Sequence, residues 1–339
     1  MQAVPMSQVA KEAGVSVMTV SRALRSSPLV ARDTKERVLA TAKRLGYRPN
    51  PFVNALMEQV RRRRSFGARA ETMAFLLPQP PAVAAQMSYK RPLLDGLAAR
   101  ASQHGYGVDH FQYTLDPSGA RRLAGILLAR GIRGVVIDYT ECPPLECLQL
   151  PLAEIAVVAL LAATRDLRLH CVLLDNYGIM IEALQVARAR GYRRPALAID
   201  AFNNDLVERR WTACYTEFTA RLGLQAVPAL ESKFEPDRPA PFQQWLRRTK
   251  PDLVLSDSLL VADWIPAGAA DYCCLDLPTE ATPLAGFRQH YREAAETAVD
   301  VLETQLRLNE LGPPTEPRCT KLGATLHEGT RRWRRPPAT

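Results

Sequence analysis

Apolar residues along this chain follow two different periods, and the change between them falls near residue 71. Over residues 6–24, MSQVAKEAGVSVMTVSRAL, Val9, Ala10 and Ala13 recur at the spacing of one helical face, and Val20, Ala23 and Leu24 form a second such face. Between them Gly14 supplies the backbone freedom of a tight turn. Ser16 stands where its hydroxyl accepts a hydrogen bond from an amide two or three residues on. The spacing predicts two short helices in a helix-turn-helix, with Val17, Met18, Thr19, Ser21, Arg22 and Arg25 left for the outer face of the second. Pro28 blocks its continuation. A third helix is expected from Asp33, as its cap, to Leu45, with Val38, Leu39, Ala42 and Leu45 as packing face and Gly46 as stop. Tyr47-Arg48-Pro49-Asn50-Pro51 is expected to be extended, after which Asn50 caps a short helix from Pro51 to about Val60 carrying Phe52, Val53, Leu56 and Met57.

Beyond residue 71, short apolar runs alternate with helical patterns. Strands are expected at Thr72–Leu77, Val108–Tyr113, Gly134–Tyr139, Ile155–Leu160, Cys171–Leu174, Pro195–Ile199, Val227–Leu230, Leu253–Leu255 and Tyr272–Leu275. Helices are expected near Pro92–Gly105, Pro117–Arg130, Asn176–Gly191, Leu206–Leu222, Ala240–Arg248 and Gln289–Leu308. Alternating βα units imply parallel sheets covered by helices, and a stretch this long implies two lobes rather than one small sheet. The basic, proline-rich tail RRWRRPPAT carries no leucine heptads and is expected to be disordered.

Charge changes the picture more than composition does. The 339 residues carry a net charge of +9. Residues 1–64 hold thirteen Lys or Arg, including Arg61 to Arg64, against four acids, so all the excess positive charge lies on the helix-turn-helix and the segment after it. That is the footprint expected of a protein that meets a phosphate backbone. No run of eighteen apolar residues predicts a membrane span, and the N-terminus has no basic-then-apolar leader, so a cytoplasmic protein with no membrane partner is expected. The seven cysteines show no CxxC or CxxH spacing and are expected to be reduced, mostly buried thiols. His104, His110, His170, His290 and His327 stand apart from any nucleophile elbow, and no GxSxG, HExxH or P-loop occurs. The expectation is no enzyme, no cofactor, no catalytic residue and no metal site.

VAKEAGVSVMTVSRAL, followed by TKERVLATAKRLGYRPNPFVNALM, resembles the DNA-binding headpiece of the LacI/GalR family of bacterial transcription regulators, without a gap from residue 6 to about 60. The run VLLDNYGIMIEALQVARARGYRRPALAI is more loosely similar to the family's effector domain at the crossing between its lobes. The resemblance implies an all-α helix-turn-helix headpiece plus an α/β two-lobed effector domain like the periplasmic binding proteins. The expected division is a headpiece at 1–49, a hinge helix and basic linker at 50–64, a two-lobed effector-binding and dimerisation domain at 65–328, and the tail at 329–339. It implies that Val17, Met18 and Arg22 touch base edges, with Arg22 able to grip guanine O6 and N7. It implies phosphate contacts from Ser16, Thr19, Ser21, Arg25 and Thr34. Asn50 and Leu56 match the family's minor-groove hinge, where the leucine wedges into the duplex. The sequence departs from the family at Pro5 and Ala31, where helix caps are usual, and at Arg25, where asparagine is usual.

The ligand site matches less well. Relatives clamp a sugar or nucleobase with an arginine, an aspartate, an asparagine and stacking aromatics. Arg209 and Arg210 are the nearest arginines, although the glycine usual three residues after the arginine is Ala213 after Arg210, and a strict count back from Leu224 puts Trp211 at the arginine position; Arg210 is the candidate. Ser256 replaces the asparagine before Asp257; Asp276 matches the second lobe's aspartate, and Phe234 is the candidate stacking ring. The segment between Asp257 and Asp276 is short, with Pro266 and Gly268 breaking what is normally a full helix. The expectation is thus a sequence-specific transcriptional repressor, binding a palindromic double-stranded DNA operator as a homodimer. Its effector is expected to be a small metabolite such as a carbohydrate. The alternative is a nonspecific or effector-independent architectural DNA-binding protein whose α/β domain only dimerises. A transport sugar-binding protein is disfavoured by the basic headpiece.

Overall fold

A computed structural model describes residues 6–24, 30–45, 71–87, 89–140, 144–162, 168–277 and 282–330. Asn50, Leu56, Arg25, the stop at Gly46, the Arg61–Arg64 run and residues 331–339 of the tail lie outside them.

The first three helices are α1 (Met6–Ala13), α2 (Val17–Leu24) and α3 (Arg32–Arg44). Val9, Ala10 and Ala13 of α1, Val20 and Ala23 of α2, and Val38 and Ala42 of α3 bury one small core, with Val15, Val30 and Leu45 at its border. Gly14 turns the chain at φ 64°, a conformation an L side chain resists. Two expectations for α3 need correction. The helix starts at Arg32 with Ala31 in the cap position and no side-chain cap, so Asp33 sits in the first turn, where its charge complements the helix dipole. Leu39 is 42% exposed because the packing face is narrower than the pattern suggests.

The described residues from 71 onward form two α/β lobes. The first contains β1 (Thr72–Leu77), α4 (Pro81–Ala84), α5 (Lys90–Gln103), β2 (Gly107–Gln112), α6 (Pro117–Ala129), β3 (Gly134–Asp138), β4 (Ala156–Leu160) and β5 (His170–Leu174). The second contains α7 (Asn176–Ala189), β6 (Pro195–Asp200), α8 (Ala201–Leu206), α9 (Arg210–Arg221), β7 (Leu230–Ser232), α10 (Ala240–Thr249), β8 (Leu253–Ser256), α11 (Leu259–Trp264), β9 (Asp271–Leu277) and β10 (Gly286–Gln289). The chain then returns through α12 (Tyr291–Leu308) to β11 (Cys319–Leu322) and β12 (Ala324–His327).

The strand orders are β11-β5-β4-β3-β1-β2 and β12-β10-β9-β8-β6-β7, parallel except for the antiparallel β10–β12 pair. Both faces of each sheet are covered, which is why the central strands read as continuous apolar runs. In lobe one α6 packs on one face, and α5 with α12 on the other. In lobe two α7 and α9 pack on one face, and α10 and α11 on the other. The chain passes between lobes at Asp175, His290 and Gly323. Asp175 caps α7 there, its Oδ1 accepting from Gly178 N at 3.2 Å.

Three differences from the expected elements have local causes. The helix expected over Leu206–Leu222 is two helices, because Glu208 (φ 56°) and Arg209 (φ 59°) are left-handed and interrupt it. The strand expected at Val227–Leu230 is displaced to Leu230–Ser232. Tyr215 Oη donates to Val227 O at 2.7 Å and accepts from Val227 N at 3.3 Å, so a buried side chain takes the groups a strand neighbour would use. The short strands β10 to β12 and the six-residue α11 were not expected, and each is too brief to show a period.

At Gly286 the β10 backbone runs close to β9, and a Cβ there would lie well inside contact distance of the Cys274 carbonyl. Backbone cannot yield as a flexible side chain does. Gly286→Ala is therefore expected to destabilise the chain by about 1–3 kcal/mol in urea unfolding. An unchanged midpoint would show that the two strands separate freely.

Candidate functional site

The first candidate site is the outer face of α2. Ser16 Oγ accepts from Thr19 N at 3.0 Å and lies 2.9 Å from Thr19 Oγ1, so the helix is capped as its sequence suggests. The cap satisfies one of the first-turn amides of α2, which would otherwise have no partner within the helix. Ser16 and Arg22 are exposed, and Thr19 and Thr34 are half-buried. Val17, Met18 and Ser21 lie in the same helix. Lys11, Arg32, Arg37, Lys43 and Arg44 add exposed positive charge. Arg32 is paired with Glu36 at 3.1 Å and Arg44 with Glu12 at 2.6 Å. Both pairs are largely solvent-exposed and contribute little to stability.

The second candidate site is a cleft of about 390 Å³ between the two lobes. It opens at the carboxyl ends of the parallel strands, where α/β sheets generally bind ligands. Lobe one contributes Gln79 after β1, Thr140 after β3, Leu161 and Ala162 after β4, and Tyr89 just before α5. Lobe two contributes Phe202 and Asn203 of α8, Trp211 of α9, Asp257 after β8, Asp276 of β9 and Gln289 of β10. Tyr291, the first residue of α12, closes the hinge side, its ring 5.7 Å from that of Tyr89.

Two of the four sequence candidates, Asp257 and Asp276, line this cleft. Asp257 accepts from Asp200 N at 3.1 Å and from Asn203 Nδ2 at 2.7 Å. Burial nevertheless pushes its carboxyl up to about 6, against those donors. Asp276 accepts from Tyr291 Oη at 2.6 Å, and burial pushes it up to about 7, with the Asp257 charge adding to the effect. In the unfolded chain both groups ionise near pH 4. Their protonated form is thus favoured by folding; the stability it confers is full below about pH 4 and is lost as pH rises through 6 to 7. Asp276→Asn is expected to be more stable than the parent at pH 8, with the advantage shrinking towards pH 5. Urea unfolding of both proteins across that range measures it. A pH-independent difference would contradict the raised carboxyl.

The other two candidates do not line the cleft. Arg210 is paired with Glu208, and its neighbour Arg209 reaches Glu231 at 2.6 Å and Asp205 at 3.0 Å. The left-handed pair at Glu208 and Arg209 sets the phase of α9 so that Trp211, 2% exposed, takes the inward position. Phe234 packs edge-on against Trp264, 5.9 Å between ring centres, and its amide is held by Asp200 Oδ2 at 3.2 Å. The aromatic residues that do line the cleft are Tyr89, Phe202, Trp211 and Tyr291. Of these only Trp211 carried a sequence signal, through its count from Leu224.

Below the lobe-one wall Lys90 and Asp138 form an ion pair at 3.0 Å, 1% and 0% exposed. Asp138 also accepts from Thr140 Oγ1 at 2.8 Å, and Lys90 bonds Gln79 Oε1, so the pair braces two cleft residues. No cluster of metal-ligating residues and no helix long and apolar enough to cross a membrane occurs among the described residues. Cys171, Cys214, Cys273 and Cys274 are buried free thiols, Cys147 is half-buried and Cys319 is exposed.

Residues 5–50 match the family described as "Bacterial regulatory proteins, lacI family". The HTH-type transcriptional regulator RegA of Clostridium saccharobutylicum is 30% identical over 158 residues, 47% of this chain and 43% of that protein. The chain spans about half the length of the curated relatives it matches. The fold is similar to a transcriptional regulator CelR–cellobiose complex, with TM-score 0.60, 20% identity, and coverage of 96% of this chain and 98% of the other. It is comparably similar to the lac repressor dimer bound to operator and the anti-inducer ONPF, with TM-score 0.58, 18% identity, and coverage of 98% and 100%. The solved structures establish the fold, and the headpiece match agrees with the capped helix-turn-helix: residues 5–50 are a helix-turn-helix of the lacI family of bacterial regulatory proteins, followed by a two-lobed α/β fold like that of the lac repressor and CelR structures.

Proposed function

We propose that this protein is a cytoplasmic transcriptional repressor, without enzymatic activity, that binds a palindromic operator as a homodimer and releases or tightens its grip when a small metabolite enters the cleft. The observation that carries the reading is a capped helix-turn-helix with Arg22 exposed, in the same chain as a two-lobed fold with a cleft of about 390 Å³. In this reading Val17, Met18 and Arg22 read base edges, while Ser16, Thr19, Ser21, Arg25 and Thr34 hold phosphates. One headpiece buries too little surface to be both tight and specific, so two act together on a two-fold site. Asn50 starts the hinge helix and Leu56 wedges into the minor groove. Lobe closure alters the spacing of the two headpieces, so effector and operator affinities change reciprocally. The lac repressor structure, with operator and anti-inducer, and the CelR structure, with cellobiose, support the pairing of these two ligand classes.

Selection of operators from random duplex DNA, with the full chain and with Leu56→Ala at two salt concentrations, tests this. The expected result is a palindrome with a central CG step, lost with Leu56→Ala. Enrichment of no sequence, with only steep salt dependence, would leave an architectural DNA binder instead.

A further inference from the structure

The cleft's lining has an uneven charge. Among the described residues Asp257 and Asp276 are the charged groups that line it, and no Lys, Arg or His joins them. The arginine that the sequence places here is turned away to Glu208, and an indole stands in the cleft at the adjacent position. Among the described residues Lys90 lies behind Gln79 and is matched by Asp138. Arg288, next to Gln289 on β10, is not part of the lining.

Carboxylate acceptors line one wall of the cleft. Asp276 accepts from Tyr291 at its Oδ2. Gln289 donates through Nε2 to Leu275 O at 3.2 Å, which leaves its Oε1 buried with no hydrogen-bond partner among the described residues. The Asp257 and Asp276 carboxylates border a space walled by four aromatic residues. A ligand with N–H donors and a positive charge answers both features: charge and donors for the two carboxylates, and cation–π contact with the rings.

We propose that the effector is a small organic cation carrying a primary ammonium group, seated between Asp257, Asp276 and Gln289 against Trp211 and Tyr291. This rests on the reading of the cleft as the effector site and specifies its ligand. The raised carboxyls fit it, because an ammonium relieves both the burial of each charge and their mutual repulsion. The groups facing Asp276 are Tyr291 from α12, Cys274 on its own strand, and Asp257; those facing Asp257 are Asp200, Asn203 and Tyr272. None of these supplies a competing cation. Binding must displace protons, so affinity rises with pH through the range where the two carboxyls ionise.

The test uses the full chain and matched probes that differ in charge, putrescine against 1,4-butanediol and glucosamine against glucose, at constant ionic strength. Thermal melting and calorimetry are read from pH 5.5 to 8, and operator affinity is measured on the same samples. The expected result is stabilisation by the amines and not by their neutral partners, with affinity rising by about tenfold or more across the range. Asp276→Asn should abolish the preference, and the pH profile of the parent protein carries the test if that variant folds poorly. Equal binding of glucose and glucosamine would overturn the cation while leaving an effector-responsive regulator. Absence of binding by any probe, with operator binding intact, would overturn the cation and leave the DNA-binding reading standing. Amine binding without operator selection would support the cation and sink the regulator.

Discussion

Lys90→Met is expected to lower the unfolding free energy by about 3–5 kcal/mol, the largest loss we anticipate from a single side chain in the α/β lobes. The substitution keeps the aliphatic bulk and removes only the charge. Asp138, 0% exposed, is then left with Thr140 as its side-chain donor and no compensating cation. Removing an ion pair is not equivalent to breaking one. Lys90→Met with Asp138→Leu should recover most of the loss, because apolar residues of similar volume can replace a buried pair at little cost. Urea unfolding of the three proteins measures the coupling. A loss below about 1 kcal/mol in the single variant would mean that water reaches Asp138. Because the pair braces Gln79 and Thr140, the single variant should also weaken any ligand that closes the cleft.

Arg22→Ala is expected to reduce affinity for the selected operator by about 1–3 kcal/mol at each half-site, and roughly twice that for the two-fold complex. The reason is geometric. Arg22 is exposed on a helix whose first turn is fixed by Ser16, so its guanidinium is carried on a rigid element rather than a loop. A bidentate grip on guanine distinguishes sequences, so the loss should be confined to the selected site and should relax its preference at one position. Arg25→Ala makes the contrast. Each copy then holds one phosphate fewer, which should weaken all duplexes about equally and reduce the salt slope by about one per copy. Anisotropy titrations on selected and scrambled duplexes at several salt concentrations separate the two. An Arg22→Ala protein with unchanged specificity would remove Arg22 from base readout.

How far the sequence could be read depended on how local each feature is. Gly14 and Ser16 act within a few residues of themselves, so the turn and cap of the helix-turn-helix were evident from spacing. Asp257 and Asp276 were legible through the resemblance, which matched them to the family's ligand aspartates, and both stand at the carboxyl ends of parallel strands, where the cleft opens. Arg210 and Trp211 differ by one position, and which of them turns inward is set by two left-handed residues that no period signals. Phe234 has the right chemistry for stacking, but Trp264, thirty residues away, takes its ring. Tyr89 and Tyr291 meet only because α5 and α12 pack together across about two hundred residues of sequence. The same packing joins Arg100 to Asp300 at 2.7 Å.

That last arrangement bears on how the protein is made. A ribosome releases β1 to β5 first, but the layer that covers one face of their sheet includes α12, and the edge beside β5 is filled by β11. Between β5 and α12 lies the segment that opens at Asn176 and ends before Tyr291, most of the second lobe. At about 5–20 residues per second, that segment takes roughly 6–23 s to synthesise. For that interval the first lobe presents a half-covered apolar face and an open strand edge, the features that recruit chaperones and promote misassembly. The lobe begun first is completed only after most of the second has been made, and a nascent chain stalled before α12 should be held by chaperones although nearly all its first sheet has been made.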